Sequence, residues 1–213
     1  ARTQERVELR SAGIVLASGA MALIRAAIGF LFFHLFFWLR AEYGLAEFGL
    51  AAGGSTIGSM IGNSVAPAFR QRVREEIMLT VALAVIAVAG VMAAITGGLG
   101  TAIIVAVVVN FASSIGRLAF DSIVQRDAPD ANQGRAFAQF ETRFQLAWVL
   151  AGLPPVLFTL PGQVGFLVVG LIGAFASASY LIGAKAVRSG RPVPPTLTAR
   201  AKRGIQATAG RAR

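Results

Sequence analysis

The chain has 213 residues, 55% of them in the AVILMFWYC set, with 24 glycines besides and only 14% charged; its mean hydropathy is +0.67. Soluble globular chains hold about 45–50% apolar residues even with glycine counted, so composition excludes a water-soluble enzyme, a disordered tail and a nucleic-acid-binding domain. A net charge of +10 would suggest nucleic acid in a soluble protein, but here the charges sit at the ends of apolar blocks.

With no cysteine and one histidine, disulfides, thiol chemistry and a Cys/His zinc site are excluded. The first ten residues form a short basic segment, with Arg2, Arg6 and Arg10. The chain opens on Ala1, which reads as the start of a piece of a longer protein, and the apolar run that follows is too long for a signal peptide.

A bilayer core about 30 Å thick needs about 20 helical residues to cross it. Six blocks of that kind follow one another: Ser11 to Leu39, Leu45 to Phe69, Ile77 to Ile95, Leu99 to about Asp121, Phe144 to Leu160, and Val164 to Ala184. Their continuity argues against a β-barrel, whose strands alternate apolar and polar residues in ten-residue pieces. The segment 186–213 carries Pro192, Pro194, Pro195 and seven basic residues with no acid; it is expected to be a disordered cytoplasmic tail attracted to anionic headgroups. It has no aromatic residue with which to read nucleic acid.

Lysine and arginine accumulate on the cytoplasmic side of membrane proteins. With six crossings, seventeen of the twenty basic residues fall on one side and Arg40 alone on the other, while Arg25 and Arg117 lie within spans. Both termini are therefore expected in the cytoplasm, in a cell (inner or plasma) membrane.

Polar residues inside spans are costly in lipid and normally face the bundle interior or a water-filled cavity. On the fourth span, Asn110, Ser114, Arg117 and Asp121 fall within about 60° of one another at 100° per residue, which makes one polar stripe. It reads either as a cavity wall with an Arg117 to Asp121 pair at its end, or as a headgroup-level pair that caps the helix. Arg25 lies about 21 Å along the first helix from Ser11, too deep to snorkel easily. It is expected to face protein or water and to find an acceptor, either Asn110 or a residue outside the chain. His34, among Phe30, Phe32, Phe33, Phe36, Phe37 and Trp38, reads as an interfacial member of the aromatic belt rather than a proton relay.

On the second span, Gly54, Gly58 and Gly62 form a doubled small-xxx-small ridge that lets another helix approach closely, within this chain or from another half of the molecule. Pro154-Pro155 is expected to kink the fifth span. Gly97-Gly98-Leu99-Gly100 lacks the strand, Lys and spacing of a phosphate loop and reads as a turn. No nucleophile, metal or phosphate constellation is present, so no enzyme activity and no cofactor are expected.

The six spans, the basic loop after the second, and the stretch from Asp121 to Gly152 with Ala128-Pro129-Asp130 and Gly134-Arg135 resemble the C-terminal half, helices seven to twelve, of a major facilitator superfamily transporter. That family's loop signature is a Gly, an acid four residues on, and an Arg cluster; Gly62, Arg70 and Arg72 match it, but Ala66 stands at the acid position and Phe69 where a second Gly is usual. The resemblance implies an all-α polytopic membrane bundle of six transmembrane helices, two three-helix units related by inverted topology. It makes the first and fourth spans helices seven and ten, which line the central cavity and carry Arg25, Asn110, Ser114 and Arg117. The implied function is half of a secondary transporter moving a small organic solute or drug by alternating access, with proton-coupled export favoured by family frequency. Its partners would be the lipid bilayer, the missing N-terminal half and the solute, with no nucleic acid. The alternative is a transporter-like subunit of a larger membrane assembly that has lost transport.

Overall fold

The computed structural model describes residues 11–128 and 133–189; the expected basic segment 1–10, residues 129–132 with Pro129 and Asp130, and the expected tail from residue 190 lie outside them. The described residues are six helices with no strand: α1 (Ala12–Glu42), α2 (Leu45–Arg70), α3 (Glu75–Thr96), α4 (Gly98–Asp127), α5 (Gln133–Leu157) and α6 (Gly162–Arg188). Each matches one of the six apolar blocks, except that α1 begins after its cap Ser11 and α5 ends at Leu157, short of the expected Leu160. Four of them, α1, α3, α4 and α6, are long and apolar enough by themselves to cross a membrane. The other two fall short for readable reasons: α2 is rich in Gly and Ser, and α5 opens on eleven residues, 133–143, that include Gln, Arg, Glu and Thr.

Local chemistry sets the helix ends. The Ser11 hydroxyl accepts the Ile14 amide at 3.3 Å and caps α1. Gly97 and Gly98 have φ of 64° and 83°, a left-handed pair that only glycine adopts without strain, so α3 turns into α4 with no intervening loop. Pro161 precedes the first turn of α6, where its missing N–H leaves no helical bond unmade. The Pro154-Pro155 pair stands in the last turn of α5, which ends at Leu157, so it terminates the helix instead of bending its middle.

The most extensive contacts are α2 with α4, α3 with α6, and α1 with α5, followed by α3 with α4 and α1 with α6. Exchanging α1 with α4, α2 with α5 and α3 with α6 maps this set of pairs onto itself, which is the two-fold relation between two three-helix units. Glycine contacts give the directions. On α2, Gly54, Gly58 and Gly62 approach Ile103, Val107 and Phe111 of α4 in rising order, so those helices are parallel. Gly29 and Gly152 likewise tie α1 to α5 in parallel, through Trp148 and Phe33, whereas Gly90 and Gly173 meet Gly170 and Ala87 in falling order, so α3 and α6 are antiparallel. Odd helices therefore run one way and even helices the other, and a unit of three reverses direction relative to its mate.

The pairings arrange the bundle as a row α2–α4–α1–α5 with α3 and α6 packed behind its middle. α1 and α4 each bury thirteen residues and α2 only five, which puts α1 and α4 at the centre. The charges sort by end. Arg70, Arg74, Glu75, Glu76, Arg126 and Asp127 gather at one end in a network in which Arg126 donates to Glu76 at 2.9 Å, to Glu75 at 3.3 Å and to Asp127 at 2.8 Å. The opposite end, where α1 meets α2 and α5 meets α6, holds Arg40, Glu42 and Glu47.

Candidate functional site

Three helices of the front row meet around two arginines, with Arg117 ten residues from the end of α4. Arg117 on α4 donates from Nε to Asp121 at 3.2 Å and from Nη1 to Glu141 of α5 at 2.8 Å, and its guanidinium lies 5.9 Å from the centre of the Phe144 ring. Glu141 in turn accepts from Gln145 at 2.9 Å. Charge-assisted bonds of this length are among the stronger polar contacts, so Arg117 joins α4 to α5 beside the Phe120 ring, which packs on Phe140 and Phe144. Its side chain retains 37% of its exposure, so the cluster opens to the face of the row rather than being sealed in the core.

Arg25 on α1 lies within electrostatic reach of both Glu141 and Arg117. Its Nε is buried and has no hydrogen-bond partner. The expected bond to Asn110 does not form, because the Asn110 amide donates to the Ala106 carbonyl of its own helix at 2.9 Å. Amide side chains can satisfy themselves on the preceding turn in this way, which removes them from competition for a neighbour. Both acids of the cluster are instead bonded to Arg117.

The polar stripe of α4 divides between neighbours. Ser114 donates to the Ser59 carbonyl of α2 at 3.3 Å and touches the position where a Gly62 side chain would begin. It therefore lies in the α2–α4 seam, while Arg117 and Asp121 turn toward α5. The glycine ridge is in the same seam: a Cβ on Gly58 would collide with the Val107 carbonyl, and one on Gly62 would lie 2.7 Å from the Phe111 carbonyl. The ridge thus packs within the chain.

His34 departs from its expected place in the aromatic belt. It is 1% exposed, stacked between Phe30 and Trp38 and edge-on to Phe166, with Nε2 3.2 Å from the Gly162 carbonyl. Gly165 of α6 leaves room for its ring. A run of aromatic residues marks a depth in the membrane; it does not tell which of them points inward, and here the partner helix decides.

Sequence reasoning missed Glu141, because the fifth span was placed from Phe144 onward, and Glu141 stands one turn before it. The signal lay in spacing: Glu141, Phe144, Gln145 and Trp148 share one helical face. Two clefts, of about 420 and 390 Å³, lie away from this cluster at the basic end, where α6 meets α3 and α1, and share Glu76, Tyr180 and Ala184. Among the described residues no group of His, Asp and Glu could hold a metal ion.

The sequence profile of the Major Facilitator Superfamily matches residues 2–152. An uncharacterized protein of Mycobacterium leprae (strain TN) is 29% identical over 151 residues, which cover 67% of this chain and 25% of that protein. The chain therefore matches about a quarter of that relative's length. No solved structure matches. A profile match over most of the chain, joined to an all-helical bundle of apolar helices, settles the class: this multi-pass membrane protein belongs to the major facilitator superfamily, a family of transporters.

Proposed function

We propose that the chain is the C-terminal half of a secondary active transporter, which carries a small organic solute across the cell membrane by rocking against an N-terminal half. The observation that supports this reading best is the cluster of Arg25, Arg117, Asp121 and Glu141 on three adjoining apolar-flanked helices. Ionic groups within spans are retained where they face water or a ligand and are otherwise selected against. In this reading Arg25, Asn110 and Arg117 line the cavity, Ser114 forms its α2 wall, and the Arg117–Asp121 pair changes partners as the halves move. The basic end, where Arg70, Arg74 and Arg126 gather, faces the cytoplasm with both termini, in keeping with the distribution of arginine along the chain.

The experiment is solute flux in vesicles from cells expressing the protein in its natural reading frame, compared with Arg25→Leu. Flux lost with membrane insertion retained supports the reading; unaltered flux removes Arg25 from the pathway.

A second reading, a transporter-like subunit without transport, is favoured by Ala66 in the position of the loop acid. Vesicles that move no solute of any class, together with a stable co-purified membrane partner, would support it.

A further inference from the structure

The transport reading leaves the chemistry of the solute open, and three features of the front row bear on it. The first is the unpaired Nε–H of Arg25. Its Nε is buried without an acceptor, the two carboxylates nearby are both bonded to Arg117, and the Asn110 amide is turned to Ala106. A buried donor left unpaired loses its hydration without compensation, so the site is completed by whatever brings an acceptor oxygen.

The second feature is an aromatic platform on the same face of α1. Phe32 stands seven residues after Arg25, which returns it to within about 20° of the same direction and about 10 Å further along the axis. Despite its size it is 42% exposed. The third feature is what frames it. The Phe32 ring lies 5.6 Å from Phe48 of α2 and 5.9 Å from Trp148 of α5, so the platform spans the front of α1 from one neighbour to the other. The main chain at Trp148 also packs against Gly29, between the levels of Arg25 and Phe32.

We propose that this half of the cavity takes an amphiphilic organic anion, its carboxylate or sulfonate on Arg25 and its apolar body against Phe32, Phe48 and Trp148. The inference rests on the transport reading and narrows it to a solute class. The spacing of the two elements sets the length of the solute: the charged group and the far end of the apolar part lie about 10 Å apart, the span of a two-ring aromatic acid. Arg117 does not share in binding, because its Nε and Nη1 already donate to Asp121 and Glu141. A guanidinium with an unpaired Nε–H is also well shaped for a planar, two-oxygen group.

The test uses the full-length protein in nanodiscs of zwitterionic lipid, so that lipid does not supply a competing anion. Binding of 2-naphthoate and of naphthylmethylamine, the same ring system with a cationic group, is read from the quenching of tryptophan fluorescence. The expected result is that naphthoate binds, that the amine binds far more weakly, and that Arg25→Gln weakens naphthoate about tenfold or more, with Arg25→Lys recovering part of the loss. Phe32→Ala should weaken naphthoate and leave the response to acetate unchanged. Laurate, added as a separate probe, distinguishes a membrane-derived fatty acid from an aqueous solute: stronger competition by laurate than by naphthoate assigns the anion to lipid, and the reverse assigns it to a soluble acid. Naphthoate affinity equal in wild type and Arg25→Gln, no naphthoate binding, or preference for the amine would overturn the anion assignment. If flux still depends on Arg25 in any of those cases, the transport reading survives its loss.

Discussion

The two parallel seams of the bundle, α2 with α4 and α1 with α5, are counterparts under the internal two-fold, yet their chemistry differs. The α2–α4 seam is made of three glycines on one helix against main chain and β-branched side chains on the other, with one hydroxyl bond between Ser114 and Ser59. The α1–α5 seam has one glycine from each helix: Gly29 lies against the main chain at Trp148, and Gly152 is filled by the Phe33 ring. On its flank lie Arg25 and Glu141. Equivalent backbone positions therefore hold a close, inert contact on one side and a charged, aromatic one on the other. The two-fold fixes helix placement, and side chains make the two sides of the row chemically unlike.

Substitutions can break that contrast, beginning with the largest effect. Gly58→Ile drives a side chain into the Val107 carbonyl, and α2 has only five buried residues to hold it otherwise; a loss of about 3 kcal/mol, the upper end for overpacking, is expected in detergent unfolding. Gly29→Val, in the opposite seam, meets the main chain at Trp148 as closely, but α1 has thirteen buried residues to hold it; about 2 kcal/mol is expected, with a shifted Trp148 emission. Equal losses in the two variants would show that the seams do not differ in tolerance.

Glu141→Gln removes one partner of Arg117 while Asp121 remains. Because the pair is more than a third exposed, less than about 1 kcal/mol should be lost. The smallest change in stability belongs to Arg25→Leu. It deletes a buried donor that bonds to nothing, so stability within about 0.5 kcal/mol of wild type or above it is expected, alongside lost flux. A large loss of stability in that variant would mean that Arg25 holds the fold together.

The helices were legible because apolar blocks of sufficient length were bounded by charge, Gly or Pro, and these physical limits do not depend on partners. The turn at Gly97-Gly98 was legible for a similar reason, since two consecutive glycines favour a left-handed turn. Less could be read where a side chain's direction depends on another helix. His34 belonged by its neighbours to an aromatic belt, and only Gly165 and the Gly162 carbonyl of α6 turn it into a core residue. Gly90, Gly170 and Gly173 form a second close crossing that no four-residue ridge announced, because the small residues are divided between two helices.

At the site, the residues themselves were visible and their partners were not. Arg117 and Asp121 were paired from their i, i+4 spacing, and they bond as that spacing suggests. Glu141 was hidden in the polar start of α5, which does not look like a span although it continues one. Arg25 was expected to find a partner and found none, and that mismatch is what points to a ligand.

Because the chain contains no cysteine, single thiols report directly on which positions meet water. Arg25→Cys is compared with Val88→Cys, a position 63% exposed on α3, behind the row that carries the charged cluster, using a charged, membrane-impermeant thiol reagent in intact membranes. Thiols react as thiolates, which form in water and not in hydrocarbon. A cavity lined by Arg25 predicts rapid modification of Arg25→Cys, slowed by bound solute, and almost none of Val88→Cys. Faster labelling of Val88→Cys, or an Arg25→Cys as inert as a lipid-facing thiol, would contradict it.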